Sequence, residues 1–170
     1  MSGMEAGRRY GIDTIIPPVA ANTRYVAAGA ISIGVEYRLI NEEIVQANLN
    51  AHGLDTSGPD VRAPMIADDG GVSLHVCDTE TRTEYLRFDL FDGSPHYHYL
   101  APGDYQINIP YDWFACGDMT SWALRCIRER LPAMLAFCGA QDLAGQVDPA
   151  QIEAAMPAVL ELVGRSAASV

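Results

Sequence analysis

Three of the four histidines in this chain, His75, His96 and His98, lie in the segment 75–98, interleaved with Cys77, Arg87 and Asp89. On a β-strand, residues two apart point to the same face, so His96-x-His98 and His75-x-Cys77 each present two ligand-type side chains together. Imidazole and thiolate are the donors of zinc and other transition metals, which makes His96, His98, His75 and Cys77 the candidate ligands and a transition metal the possible cofactor. The same segment carries the types needed for general acid/base catalysis. Asp89 could orient His96 or His98, and Arg87 could hold an anion. No Cys-x-x-Cys knuckle, glycine-rich phosphate loop or nucleophile elbow accompanies these residues, so the catalytic candidates are Asp89, His96, His98 and Arg87 and no more.

The elements that must position them follow from periodicity. Ile31, Ile33, Val35, Tyr37 and Leu39 alternate with Ser32, Gly34, Glu36 and Arg38, the pattern of a strand with one buried face. Val72, Leu74 and Val76 alternate with Ser73, His75 and Cys77, and Leu86, Phe88 and Leu90 with Tyr85, Arg87 and Asp89. These two strands should form a hairpin. Pairing apolar with apolar sets Val76 opposite Leu86, Leu74 opposite Phe88 and Val72 opposite Leu90. The polar face then pairs Cys77 with Tyr85, His75 with Arg87 and Ser73 with Asp89. A second hairpin, 96–100 with 105–109, turns at Pro102-Gly103 and should place Tyr97 against Ile109, Tyr99 against Ile107 and His98 against Asn108. All these alternations leave Glu36, Arg38, His75, Cys77, Arg87, Asp89, His96 and His98 on the face turned away from the core.

Asn41 caps an expected helix over 42–51, and His52 should meet its negative end. Apolar residues from Met119 to Cys138 recur at helical spacing behind Asp118, with Pro132 expected to kink or restart the helix. Asp148-Pro149 opens another helix that should run to Gly164, interrupted at Pro157. The sum is an α+β fold: an antiparallel sheet of about five strands with one face covered by C-terminal helices. Residues 1–23 read as an extended N-terminal arm and 24–170 as a single domain, with 53–71 a further loop.

The 170 residues include 22 Asp+Glu against 11 Lys+Arg, and every one of the cations is arginine. Without lysine, Schiff-base chemistry and a lysine-bearing phosphate loop are excluded. A net charge of -11 argues against nucleic acid as a partner. No apolar run approaches a membrane span or a signal segment, so no membrane insertion is expected, and four scattered cysteines suit a reducing cytoplasm. The Ala- and Arg-rich composition suggests a bacterial source. The arm, with Ile12, Ile15, Ile16 and Val19 but no periodicity, is expected to lie on another protein chain or on a second copy of this one. Tyr97, Tyr99, Tyr105, Tyr111 and Trp113 add aromatic docking surface. The reading these features favour is a non-catalytic accessory or interaction subunit of a cytoplasmic bacterial assembly. The alternative is a small metal-binding or acid-base enzyme using the polar sheet face.

Overall fold

Seven antiparallel strands form one sheet in the computed structural model, which describes residues 7–54 and 68–168. They are β1 (Arg9–Gly11), β2 (Arg24–Ala28), β3 (Ile31–Ile40), β4 (Asp69–Asp78), β5 (Glu84–Phe91), β6 (His96–Ala101) and β7 (Tyr105–Pro110). Helix α1 (Glu42–Ala51) follows β3. After β7 come α2 (Trp113–Cys116), α3 (Met119–Glu129), α4 (Leu131–Phe137), α5 (Gln141–Ala144) and α6 (Pro149–Ala167). The fold is α+β with C-terminal helices, and the sheet has seven strands where alternation alone indicates about five. The two additional strands are too short to show a period. β1 has three residues, and β2 is joined to β3 by a tight turn in which Gly29 adopts φ +70°, a left-handed conformation that favours glycine.

One face of the sheet is the core. Ile31, Ile33, Val35, Leu74, Val76, Leu86 and Phe88 are buried there with Ala123 and Ile127 of α3, Leu131 and Leu135 of α4, and Ile152, Met156 and Val159 of α6. The helix at 42–51 forms as expected, with Asn41 Oδ1 accepting from Ile44 N–H and the His52 ring meeting the Asn48 carbonyl. The helix expected from Met119 stops at Arg130 and restarts with Pro132 in the first turn of α4. Pro157 does not interrupt α6, contrary to the sequence expectation. Its side chain faces solvent, where water can satisfy the carbonyl that its missing N–H leaves free.

The hairpin registers agree with the pairing of apolar residues for Val72, Leu74 and Val76 and for Tyr97, His98 and Tyr99. Cys77 is the exception. A bulge after Val76 sets it opposite Glu84 instead of Tyr85, so Glu84 joins the polar face and Tyr85 packs on the core. The loop expected over 53–71 lies mostly outside the described residues; its last three, Asp69 to Gly71, are in β4.

The strand order β1-β7-β6-β5-β4-β3-β2 puts β1 and β2 on opposite edges. Six strand spacings separate them, about 29 Å, and the twelve residues 12–23 can reach about 40 Å. The segment therefore crosses a face, and since helices occupy one it crosses the other. A single 3-10 turn (Ile12–Thr14) begins the crossing, and the Ile16 carbonyl then accepts from Arg87 Nη1 at 2.7 Å and Arg38 Nη2 at 3.0 Å. Val19 N–H and Thr23 Oγ1 donate to the Glu36 carboxylate. The arm expected to seek another chain is a strap on its own sheet, because the face it crosses is lined with charges that need backbone partners. Removing residues 1–18 should lower the unfolding free energy by about 3–6 kcal/mol, the worth of two hydrogen bonds to buried guanidinium groups. Chemical denaturation of the truncated protein measures it, and an unchanged midpoint would show the strap to be dispensable.

Candidate metal centre

Two rows of side chains cross the polar face under the strap. Register aligns Glu36, Ser73, Asp89 and His96 in one and Gly34, His75, Arg87 and His98 in the other. Gly34 is a requirement of packing, since a Cβ there would lie 2.8 Å from the Tyr25 ring. The sequence expectation of an outward face is corrected in one respect. Glu36, His75, Arg87, Asp89 and His98 are buried, the strap taking the place of solvent.

At the centre of the face, His75 lies between two carboxylates, with Nδ1 2.6 Å from Glu84 Oε1 and Nε2 3.2 Å from Glu36 Oε2. Burial opposes its charged form, but the two carboxylates outweigh burial and raise its pKa. Arg87 completes the group. Its Nε and Nη2 donate to both oxygens of Glu84 at 2.8 and 2.7 Å, a bidentate pair. Burial works against ionisation of Glu84 too, yet Arg87 and His75 together hold its carboxyl far below the ordinary range. The structure does not bring His75 and Cys77 into one group with His96 and His98. His75 lies between its carboxylates, and burial, with Glu84 nearby, pushes the Cys77 thiol up to about 12. Arg87 also donates from Nη1 to the Ile16 carbonyl, so each of its nitrogens makes a hydrogen bond within the chain.

Asp89, His96 and His98 do converge. Asp89 Oδ2 is 3.3 Å from His96 Nε2 and 3.2 Å from His98 Nε2, while Asp89 Oδ1 accepts from Ser73 Oγ. Hydrogen bonds on the far side of each ring determine what Nε2 presents. His96 Nδ1 is 2.6 Å from the Ser94 carbonyl, which can only accept. For His98 the argument runs through the strap. Thr14 Oγ1 donates to the Gly11 carbonyl, so it accepts from Gln106 Nε2 at 2.6 Å, and Gln106 Oε1 is left facing His98 Nδ1 at 2.8 Å. Both rings thus carry hydrogen on Nδ1, and in the neutral form both Nε2 lone pairs point at one carboxylate oxygen. Two lone pairs and an anion 3.2–3.3 Å apart repel unless a proton or a cation lies between them. Burial, with His96 close by, keeps His98 below its ordinary pKa despite Asp89. His96, nearer the surface, is raised, Asp89 outweighing burial. The Asp89 carboxyl is held well below its usual range, the two imidazoles outweighing burial.

These atoms suit a metal ion. Ligands on a zinc-type ion with bonds near 2.1 Å sit about 3.0–3.4 Å from one another, and the donor atoms of Asp89, His96 and His98 all lie within 4.8 Å. The group borders a cavity of about 750 Å³ whose walls include Ile15, Ile16, Ile40, Val45 and Phe91, so one side of it is open to a small molecule. Sequence reasoning found the three donors but not what orients them. Gln106 was accessible from the pairing of Tyr99 with Ile107, which places it diagonally beside His98. Asp69 was not: its carboxylate accepts from Gly93 N, Ser94 N and Ser94 Oγ, fixing the loop whose Ser94 carbonyl aims His96.

Fold and site together define an α+β protein whose second sheet face is a buried charge network ending in a histidine–carboxylate cluster. The chain belongs to the family described as Domain of unknown function (DUF7700), which matches residues 25–163 and so includes all three donors but not the strap. No curated protein and no solved structure matches it.

The raised pKa of His75 has a consequence for stability. A group raised on folding stabilises fully below its unfolded value, near 6.5, and loses that contribution as pH rises through the folded value. With Glu36, Glu84 and Arg87 as the charges facing it, wild-type unfolding free energy should fall above about pH 6.5 by up to about 1.4 kcal/mol per pH unit more than in His75→Gln. Parallel slopes in urea titrations from pH 6 to 9 would show that His75 is not protonated in the folded protein.

Proposed function

We propose that this chain is a metal-dependent enzyme acting on a small molecule, with Asp89, His96 and His98 holding one divalent transition ion at the edge of the cavity. The observation that carries the reading is the orientation of both imidazoles. Each has its Nδ1 hydrogen bound to an acceptor and its Nε2 turned to the same Asp89 oxygen. Acceptors behind metal-ligating histidines set the tautomer and raise ligand basicity, and two histidines with one carboxylate leave coordination positions for substrate or water. An ion held there would supply Lewis acidity or an activated water. The residues of the chain do the rest. Ser73 and the two rings orient Asp89, Gln106 and Thr14 orient His98, and the strap keeps water off the charged face. The four free cysteines suit the reducing, cytoplasmic compartment that we infer for it.

After metal-free purification and reloading, the wild type should bind one equivalent of Co²⁺ or Zn²⁺ by elemental analysis. Asp89→Asn and His98→Ala should bind none at micromolar metal, and Gln106→Leu should weaken binding by about 10–100-fold through loss of the outer support. Wild-type protein that retains no stoichiometric Mn, Fe, Co, Ni, Cu or Zn would overturn the proposal.

A second reading, an accessory subunit that docks a protein partner or its own copy, rests on α2. Phe114 is 93% exposed beside Trp113 at 47%, an apolar tip that a soluble surface rarely carries. Sedimentation of the wild type against Phe114→Ser distinguishes self-association, which that substitution should abolish, from a monomer unaffected by it.

A further inference from the structure

The cavity beside Asp89, His96 and His98 also contains a guanidinium with a donor to spare. Arg38 is 5% exposed and lines that cavity. Its Nη2 donates to the strap carbonyls of Ile16 and Pro17, and its Nε is 3.7 Å from Glu36 Oε1. Its Nη1 has no acceptor within hydrogen-bond distance among the described residues, the nearest carboxylate oxygen being Asp89 Oδ1 at 3.9 Å. Nη1 is not excluded from solvent and opens onto the cavity, where an acceptor brought from outside can take the place of water. On Arg87, by contrast, every nitrogen already donates to Glu84 or to the Ile16 carbonyl.

Charge counting points the same way. The polar face holds four anions, Glu36, Asp69, Glu84 and Asp89, against Arg38, Arg87 and a protonated His75, a sum of one negative charge. A divalent ion on Asp89 and two neutral imidazoles therefore leaves one uncompensated positive charge beside the cavity, a cost that a singly charged anion removes. The anion has to be small and of low charge, since Asp68 and Asp92 stand exposed among the cavity-lining residues and repel a polyphosphate. The walls formed by Ile15, Ile16, Ile40, Val45 and Phe91 favour an apolar body.

We propose that the substrate is a small organic acid with an apolar body, its carboxylate held between Arg38 Nη1 and the ion on Asp89, His96 and His98. Arg38 is then the residue that selects a carboxylate over a neutral analogue. The inference rests on the metal reading above and deepens it.

The test uses the full chain loaded with Co²⁺ and three probes: benzoate, its neutral isostere benzamide, and inorganic phosphate. Benzoate should shift the visible cobalt absorption and bind about tenfold or more tightly than either of the others. Arg38→Gln should lose that tenfold preference while still taking up one equivalent of Co²⁺, and Arg38→Lys should recover part of it. Equal binding of benzoate and benzamide, phosphate binding as tight as benzoate, or an unaltered preference in Arg38→Gln would each overturn the inference while leaving the metal centre standing. Should Arg38→Gln fail to fold, the wild-type comparison of the probes decides alone. Failure of the wild type to take up Co²⁺ overturns the metal reading and this inference with it.

Discussion

The strap over the second face of the sheet is the constraint on which the rest of the structure depends. β1 and β2 sit on opposite edges, so residues 12–23 must traverse the sheet, and helices already fill the apolar side. A chain crossing a charged face brings backbone carbonyls and amides to groups that would otherwise lose water without replacement. Ile16 is where this is most concentrated, one carbonyl accepting from two guanidinium groups on different strands. The isoleucines that ride with it close the cavity from above. A polar sheet face would ordinarily be solvated, and here it becomes a low-dielectric site in which each charge acts strongly on its neighbours.

Within that site, the pairing of charges divides the face into two functions. The inner group, Glu84, Arg87, His75 and Glu36, is paired mainly within itself: Arg87 is bidentate on Glu84, and His75 lies between the two glutamates, its Nδ1 bonded to Glu84 and its buried Nε2 near Glu36 without a hydrogen bond. Groups so committed hold the strands in register and leave little capacity for a ligand. The outer group is different. Asp89 receives two imidazole nitrogens that cannot both satisfy one oxygen without an added positive charge, and Arg38 retains an unpaired donor. The Asp89 end of the network, with His96, His98 and Arg38, lines the cavity, as expected of a structure with a ligand site at one end.

The orienting groups come from four separate stretches of chain. Thr14 is on the strap, Asp69 begins β4, Ser94 lies in the turn before β6, and Gln106 is on β7. Each was within the sequence as an ordinary polar residue. Their roles depend on hydrogen-bond direction, which follows from what the next atom can donate or accept, back to the Gly11 and Ser94 carbonyls.

By itself the sequence determined what local period can determine. Alternation in 31–39, 72–77, 85–90, 96–100 and 105–109 sorted side chains between two faces, because successive residues of a strand must point opposite ways, and matching the apolar sets then specified nearly every cross-strand pair. It also assembled Asp89, His96 and His98 as candidates on one face. Three decisions were left to tertiary structure. A single-residue bulge exchanged Tyr85 for Glu84 and so supplied His75 with its second carboxylate. The distance between donors on neighbouring strands separated His96 and His98 from His75 and Cys77. The path of residues 12–23 turned an exposed face into a buried one. None of the three carries a local signal, since each is set by contacts between residues far apart in the chain, whose free energy exists only once the sheet has formed.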